Sequence, residues 1–446
     1  MPEPIWPGSD KGVLLYVGCF LQSQDSYQLP NTEGRLRLAS VTSLACDPWM
    51  IKFMQRVVRL QGSSLTRYPE AKVEEMANSV GFLACCIVLL MSNAATGVLG
   101  TRNLDLKGSK DQLLDREVVP ALVVFGDSTV DAGNNNYITT IVKADFAPYG
   151  KNFMGHVPTG RFTDGLLVTD YISLKLGIPL QLPYLSPAAH GESILTGVNF
   201  ASSASGWFDN TATHFNVVGL TKQFEWFKSW KAEVLSLAGP KRGNFIISNA
   251  LYAFSTGSND WVNNYYINPP LMKKYTPQAY TTLLLGFVEQ YTMELYSLGG
   301  RNIAILNLPP LGCLPAQITL HGHGNQTCVQ SLNDVALGFN QQLPGVVDAM
   351  NKKTPGARLI ILDIYNPIYN AWQDPQKFGF KYARVGCCGT GDLEVSVLCN
   401  RAVPACSNAD EHIFFDSFHP TGHFYSQLAD YMYSYAKPIL LAPPNP

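Results

Sequence analysis

The stretch that decides the fold is ALVVFGDSTVDAGNNNY, which runs from Ala121 to Tyr137. It begins as a short apolar run rich in valine, which is typical of a buried strand in a parallel sheet. The run ends at Gly126, and Asp127, Ser128 and then a row of three asparagines follow. A plain turn needs glycine and aspartate or asparagine but not this order. The stretch therefore predicts a serine that is exposed at the end of a buried strand.

Similar apolar runs recur along the chain, and several of them end in small polar residues. They are GVNFASSASG at 197–206, ALYAFSTGSND at 250–260, RNIAILNLPPLG at 301–312 and ARLIILDIY at 357–365. Longer helical patterns lie between them, such as Tyr280–Leu298 and Leu332–Asn351. Strands that alternate with helices predict an α/β protein with a mostly parallel central sheet and helices on both faces. Ligands bind at the carboxyl ends of such strands, so we expect the polar clusters to meet in one crevice.

The composition is that of a globular protein with a large core. Of the 446 residues, 46% are hydrophobic and 15% are charged. The formal net charge is -2, so the chain has no basic excess with which to bind phosphates. Nucleic acid is therefore not an expected partner.

Six of the ten cysteines lie in the last third of the chain, at Cys313, Cys328, Cys387, Cys388, Cys399 and Cys406. This even number predicts three disulfides in an oxidising compartment. Cys387 and Cys388 are adjacent, so we expect them to bond to different partners. We expect Cys313 to pair with Cys328, and the adjacent cysteines to pair with the remaining two. The alternative is a zinc site, which no CxxC pair and no histidine at ligand spacing supports.

A segment with the layout of a secretory signal peptide begins at Met76, with the sequence MANSVGFLACCIVLLMSNAATGVLG. Its apolar run of 12 residues, from Val80 to Met91, is too short to span a bilayer comfortably. We therefore expect a signal peptide over 76–97, no stable membrane span, and secretion to the outside of the cell. Residues 1–75 have no clear periodicity, and we interpret them as an untranslated or mispredicted extension. The alternative is a real extension followed by a short buried helix.

The remainder of the chain is interpreted as one domain. We expect a linker over 98–117, a folded domain over 118–436 and a loose tail over 437–446. The triplet Asn325-Gln326-Thr327 is a glycosylation sequon, which agrees with secretion and makes Asn325 a candidate glycosylation site.

Four polar clusters supply the groups that ester hydrolysis needs, namely a nucleophile, a base, an orienting acid and donors for the oxyanion. They are GDS at 126–128, the glycine that ends ASSASG, GSND at 257–260 and FFDSFHPTG at 414–422. We expect Ser128 to be the nucleophile, His419 to accept its proton and Asp416 to fix the imidazole tautomer. The oxyanion donors would be the backbone amides of Ser128 and Gly206 and the side-chain amide of Asn259.

Each of these residues has a simpler interpretation when taken alone. Ser128 could cap a following helix, His419 could be a surface residue before a proline, and Asn259 could belong to an ordinary turn. Independent turns need not fall into this order, so the joint pattern favours a catalytic site.

Several polar neighbours of these clusters are expected to be structural. Asp127 is expected to anchor its loop, and the asparagines at 134–136 to hold it through side-chain to backbone bonds. Arg161 is expected to form an ion pair rather than to bind a substrate carboxylate.

The sequence resembles the plant GDSL esterases and lipases of the SGNH hydrolase superfamily. The four blocks of that family, namely Gly-Asp-Ser, a glycine, Gly-x-Asn-Asp and Asp-x-x-His, occur here in order. The stretches DFAPYGKNF, PTGRFTDG, LPPLGCLP and CCGTG are also similar, and the resemblance covers residues 118 to about 436. It implies a flavodoxin-like three-layer α/β/α sandwich without a cofactor or metal. It also implies hydrolysis of carboxylic esters, which would be lipid or cell-wall acyl esters in the apoplast.

The same resemblance implies Ser128 as nucleophile, His419 and Asp416 as the rest of the triad, and Gly206 and Asn259 as oxyanion donors. The sequence departs from the family pattern at three positions. Thr129 replaces a leucine, Ser203 replaces a glycine and Asn307 replaces a glycine. The change at Ser203 leaves open which backbone amide of that block faces the oxyanion.

Three alternatives to ester hydrolysis by this site are compatible with parts of the pattern or differ from it at a known motif. An acyltransferase would use the same residues with an alcohol other than water as acceptor. A catalytically silent, secreted binding protein could have the same fold. The chemistry of an α/β-hydrolase needs Gly-x-Ser-x-Gly, which is absent from the sequence.

Overall fold

The computed structural model describes residues 119–441. The predicted extension at 1–75, signal peptide at 76–97 and linker at 98–117 lie outside the described residues, as does the end of the predicted tail. Among residues 119–441, no helix combines the length and apolarity that crossing a bilayer would require.

The centre of the described region is a four-stranded parallel sheet in the order β1-β2-β3-β4. Its strands are Leu122–Gly126 (β1), Leu251–Ser255 (β2), Asn302–Leu306 (β3) and Arg358–Leu362 (β4). Each lies within a run that the sequence predicts to be a strand. Every residue of the first three strands is buried, which explains why their sequences are continuously apolar rather than alternating.

The run at 197–206 is predicted as a short strand that leads into a small-residue turn, and in the structure the strand is reduced to an isolated bridge at Asn199 before the turn at 203–204. Only Asn199 forms bridges there, to Val124 of β1 and to Pro183. The Asn134 side chain bonds to the carbonyl oxygens of Asn199 and Ala201, and the chain then turns away from the sheet. The short bridged piece still lies beside β1 on the side opposite β2, and it completes the 2-1-3-4-5 order of flavodoxin-like sheets.

The helices connect the strands and cover both faces of the sheet, so the fold is the expected flavodoxin-like three-layer α/β/α sandwich. The α-helices are Val168–Leu176 (α1), Asp209–Thr213 (α2), Leu220–Asn249 (α3), Ser258–Val262 (α4), Pro269–Lys274 (α5), Pro277–Ser297 (α6), Pro315–His321 (α7), Gln330–Lys353 (α8), Tyr365–Gln373 (α9) and Gly422–Leu441 (α10). Short 3-10 turns lie at Asn134–Tyr137, Met154–His156, Gly191–Thr196, Tyr265–Ile267, Leu311–Cys313, Pro375–Phe378, Ser396–Leu398 and Ala409–Glu411. The two helices predicted at 280–298 and 332–351 are confirmed as α6 and α8.

The main core lies between the sheet and these helices. Helix α1 packs against α10, and α6 packs against α8. At the centre, the Phe125 ring of β1 stacks on Phe224 of α3 and on Phe254 of β2, with centroid distances of 4.9 and 5.0 Å. Burial of such rings is the main force that holds the layers together.

A second and smaller core lies beside a two-stranded parallel sheet of Tyr382–Gly386 (β5) and His412–Phe414 (β6). We call it the disulfide core; its buried members are Ala144, Tyr149, Phe162, Cys387, Cys388, Cys399, Ala409 and Phe415.

The structure contains the three expected disulfides, and they are Cys313–Cys328, Cys387–Cys406 and Cys388–Cys399. The expectation that the adjacent cysteines take different partners is confirmed. Because these six sulfurs are bonded to one another, the zinc alternative for them is wrong.

Candidate active site

Ser128 lies in the turn that follows β1. Gly126 ends the strand with φ at 140°, a conformation that favours glycine, and a Cβ atom there would overlap the carbonyl oxygen of Ser255. The Asp127 amide then bonds to that same carbonyl at 3.0 Å, which holds the start of the turn against β2. Residues 127–130 form a turn and not an α-helix, so the alternative in which Ser128 caps a helix is wrong.

The structure brings Ser128, His419 and Asp416 together in one line of hydrogen bonds. His419 Nε2 lies 2.7 Å from Ser128 Oγ, and His419 Nδ1 lies 2.8 Å from both Asp416 carboxylate oxygens. A carboxylate only accepts, so Nδ1 carries the proton and Nε2 is the free acceptor that faces the serine hydroxyl. His419 is only 5% exposed, so its interpretation as a surface residue is wrong.

The loop after β6 fixes the acid and the base with respect to each other. Asp416 Oδ1 accepts the backbone amides of Phe418 and His419 at 2.8 and 2.7 Å. The Phe162 ring packs against the imidazole, with a centroid distance of 4.9 Å. Backbone and ring contacts therefore orient both side chains before any substrate arrives.

Two backbone amides that were predicted to face the oxyanion, those of Ser128 and Gly206, have no acceptor among residues 119–441. By contrast, the Ser203 amide donates to Asp131 Oδ2 at 3.0 Å, which removes it from the amides that could face an oxyanion. The Ala204 amide also has no acceptor within that range. The replacement of a glycine by Ser203 left open which backbone amide of this block faces the oxyanion. The geometry restricts the candidates to the amides of Ala204 and Gly206.

Asn259 lies beside this block. It lies in the first turn of α4, and its Nδ2 donates to the carbonyl oxygen of Ser205 at 2.9 Å, which is the carbonyl of the peptide before Gly206. Its Oδ1 accepts Asn263 Nδ2 at 2.6 Å, and this bond fixes which way the amide points. The second hydrogen of Asn259 Nδ2 remains available to a ligand. The ordinary-turn interpretation of Asn259 is wrong, since the residue is helical and 7% exposed.

The polar residues around Ser128 are structural, as expected. Asp127 Oδ1 accepts the amide and the hydroxyl of Thr129 at 3.0 and 2.8 Å, and burial raises the pKa of Asp127 to about 6. Asn134, Asn135 and Asn136 each donate a side-chain hydrogen bond to backbone carbonyls. Arg161 forms a buried two-point ion pair with Asp170 at 2.7 and 2.8 Å.

Two departures from the family pattern have visible contacts. The Thr129 hydroxyl lies 2.8 Å from Ser255 Oγ, so it ties the nucleophile turn to the end of β2. Asn307 accepts the Ile364 amide at 2.8 Å and donates to Asp363 at 2.9 Å, so it joins the ends of β3 and β4.

Comparison with known proteins agrees with this geometry. Residues 122–432 match the family described as GDSL-like Lipase/Acylhydrolase. The chain belongs to this family. A GDSL esterase/lipase of Arabidopsis thaliana is 46% identical over 308 residues, which cover 68% of this chain and 87% of that protein. The GDSL esterase/lipase APG of the same plant is 43% identical over 313 residues, which cover 70% of this chain and 89% of that protein. The protein is therefore a carboxylic ester hydrolase of the plant GDSL family.

Sequence reasoning missed Asp260 of this GDSL esterase. Its buried carboxylate accepts the amides of Trp207 and Phe208 at 2.7 and 3.2 Å and the hydroxyl of Thr211. Burial raises the pKa of Asp260 to about 7, although these three hydrogen bonds oppose the rise. A Cβ atom at Gly206 would overlap this carboxylate, so only glycine fits there. The signal in the sequence was an acid directly after Asn259.

Sequence reasoning also missed Tyr149, which lies in the family-like stretch DFAPYGKNF. Its hydroxyl is 2.8 Å from Asp416 Oδ2, although 267 residues separate the two in the chain. No local pattern reports a contact over that separation.

Proposed function

We propose that this GDSL esterase is a secreted serine hydrolase that cleaves lipid or cell-wall acyl esters through an acyl-enzyme on Ser128. The observation that carries the proposal is the 2.7 Å distance between His419 Nε2 and Ser128 Oγ, with Asp416 bonded to the other imidazole nitrogen. A nucleophile, a base and an orienting acid in this order are what acyl transfer requires.

In the first step, Ser128 Oγ attacks the ester carbonyl carbon while its proton passes to His419 Nε2. Asp416 stabilises the imidazolium that forms, and it holds the tautomer that leaves Nε2 free to accept. The imidazolium then gives the proton to the leaving alcohol, and the acyl group remains bonded to Ser128.

The negative charge that develops on the carbonyl oxygen needs hydrogen-bond donors that are already in place. The free amides of Ser128 and Gly206 and the second amide hydrogen of Asn259 are our candidates. Asp260 supports this arrangement because it bonds to the two amides that follow Gly206.

In the second step, His419 removes a proton from water, which attacks the acyl carbon. Collapse of the second tetrahedral intermediate releases the acid and returns the proton to Ser128. No further residue is needed, because the same base and the same oxyanion donors serve both halves of the reaction.

Secretion is supported by the three disulfides, which are typical of oxidising compartments. The sequon residue Asn325 is exposed, as glycosylation would require. N-terminal sequencing of the native protein tests the proposed cleavage after the segment at 76–97. A mature chain that retains residues from before Met76 would contradict it.

The activity is tested with p-nitrophenyl acyl esters of several chain lengths. The full chain would be expressed in a eukaryotic secretory host beside the Ser128→Ala variant. We expect p-nitrophenol release by the wild type that is lost in the variant, and the profile over chain length would narrow the acyl group. A folded, disulfide-bonded wild type that releases none, or a variant that keeps its activity, would contradict the proposal.

A further inference from the structure

We propose that Tyr149 is a positioning residue of the triad, and that its hydroxyl holds the Asp416 carboxylate and disperses part of its charge. The inference rests on the proposed function, because it gives Tyr149 a role in the ester hydrolysis assigned to Ser128. Tyr149 does not reach the reacting atoms and acts through Asp416 alone.

The direction of the Tyr149 hydrogen bond follows from its neighbours. Tyr149 Oη lies 2.8 Å from Asp416 Oδ2, and the backbone amide of Ser396 donates to Tyr149 Oη at 2.8 Å. A carboxylate accepts only, so the hydroxyl hydrogen must point to Asp416 while a lone pair receives the Ser396 amide. Burial and the nearby carboxylate raise the pKa of Tyr149 well above its ordinary value, so it remains a neutral donor at every working pH.

The two oxygens of Asp416 have different partners. Oδ1 accepts two backbone amides, from Phe418 and His419, in addition to His419 Nδ1. Oδ2 accepts Tyr149 Oη and His419 Nδ1, with no other donor within residues 119–441. Since Asp416 is completely buried, loss of the Tyr149 hydroxyl would leave Oδ2 with the imidazole as its one partner and no water to replace the phenol.

Tyr149 is itself fixed by the disulfide core. Its ring makes edge contacts with Phe162 and Phe415, at centroid distances of 5.5 Å in both cases. Ser396 lies inside the loop closed by the Cys388–Cys399 disulfide, and its hydroxyl accepts the amide of Lys143 at 3.0 Å. The disulfide core therefore positions Tyr149, and Tyr149 in turn positions the Asp416 carboxylate.

The consequence for catalysis is electrostatic. A hydrogen bond to Asp416 spreads its negative charge and weakens its attraction for the imidazolium of His419. Without the Tyr149 hydrogen bond, Asp416 attracts the imidazolium more strongly, so His419 stays protonated to higher pH. Asp127 and Tyr425 also lie within electrostatic range of this pair, and neither is hydrogen-bonded to Asp416 within the described range.

The test is the Tyr149→Phe variant with Tyr425→Phe as its matched control. Tyr425 is also a buried phenol near Asp416, but its hydroxyl has no hydrogen-bond partner among residues 119–441. For Tyr149→Phe we expect kcat to fall about tenfold or more, with KM within about twofold, because the Asp416 carboxylate is no longer held in the position that orients His419. We also expect the acid-side midpoint of kcat/KM against pH to rise by about half a unit.

We expect the control variant, Tyr425→Phe, to leave the acid-side midpoint of kcat/KM unchanged. A Tyr149→Phe midpoint that does not rise, or an equal rise in Tyr425→Phe, would overturn the proposal, because loss of packing alone predicts a lower kcat without a change in midpoint.

A second variant keeps the proposal testable if Tyr149→Phe does not fold. Tyr149→3-fluorotyrosine preserves size and hydrogen bond but makes the phenol a stronger donor, so the midpoint should move to lower pH. A midpoint that stays or moves up would overturn the proposal. Failure of the proposed function is a separate result, since it would appear as wild-type hydrolysis that survives in Ser128→Ala.

Discussion

In the site that we propose, the nucleophile half, which is Ser128, Gly206 and Asn259, is built differently from the acid–base half, which is Asp416 and His419. The nucleophile half lies at the carboxyl ends of β1 and β2, where the large core and an uninterrupted parallel sheet hold the backbone. The acid–base half follows β6, a strand of three residues, and it rests on the small disulfide core. One half is held by the main sheet and core of the fold, and the other, in our proposal, by disulfides and the Tyr149 hydroxyl.

This difference matters because a small core contributes little stability of its own. The segment that contains Cys387, Cys388, Cys399 and Cys406 has little regular structure, and two disulfides close it. Disulfides restrict the unfolded chain and so compensate for a small buried area. We therefore expect damage to the two halves to have distinguishable consequences.

Beside the loss of activity in Ser128→Ala, the largest expected effects come from the acid–base half. We expect His419→Ala to lower kcat by about 10^6-fold and Asp416→Asn by about 10^4-fold, because the base transfers the proton in both steps whereas the acid acts through the base, by orienting it and stabilising its charge. Kinetics on a p-nitrophenyl ester, with circular dichroism as the control for folding, measures both. A folded His419→Ala that keeps more than a hundredth of the activity would contradict the assigned base.

The nucleophile half is expected to be more tolerant at its oxyanion donors. Asn259→Ala should lower kcat by about 10^2- to 10^3-fold with little change in KM, because the donor acts on charge that develops only in the transition state. Asn263→Ala is the control, since it removes only the bond that orients Asn259 and should cost much less. Unchanged turnover in Asn259→Ala would show that another group fills this role.

The disulfides separate the two halves most clearly. Replacing both Cys388 and Cys399 by serine, or both Cys313 and Cys328, should lower the free energy of unfolding by about 3 kcal/mol in each case, because the closed loops are of similar length, with separations of 11 and 15 residues. Only the first change should also lower the kcat of the folded enzyme, by about tenfold, because it loosens Ser396 and Tyr149. Equal kcat values in both variants would remove the distinction between the halves.

The smallest effect concerns the pH dependence of stability. The pKa values of Asp127 and Asp260 are raised from 3.8 to about 6 and about 7 in the folded state. Between about pH 4 and 7 these two carboxyl groups thus bind more protons in the folded than in the unfolded chain, so the stability that they contribute falls as the pH rises. Asp260→Asn should make the decrease in the free energy of unfolding with pH less steep, by at most about 1.4 kcal/mol per pH unit. Thermal unfolding across this range measures it, and an unchanged slope would contradict the raised pKa of Asp260.

Much of the fold could be predicted from the sequence because its signals are local. The buried strands β1 to β4 appear in the sequence as apolar runs with polar ends, and Ser128 and Asn259 follow two of these runs. The segment at 197–206 was predicted as a strand because its apolar start resembles one. The Asn134 side chain, which donates hydrogen bonds to carbonyl oxygens of this segment, is distant from it in sequence.

The supporting contacts of the site are long-range as well, and this is why they could not be predicted. Asp260 is 53 residues from the Trp207 amide that it holds, and Tyr149 is 267 residues from Asp416. Their residue types are compatible with many ordinary roles, and only the folded chain shows which atoms they contact.

The measurement that tests the central claim most directly is covalent trapping of the nucleophile. The active enzyme would be treated with a p-nitrophenyl phosphonate ester, digested and analysed by mass spectrometry. Our account predicts one phosphonylated residue, Ser128, with stoichiometric loss of esterase activity and with no labelling in Ser128→Ala. Complete inactivation with the label on another residue, or labelling that persists in Ser128→Ala, would contradict it.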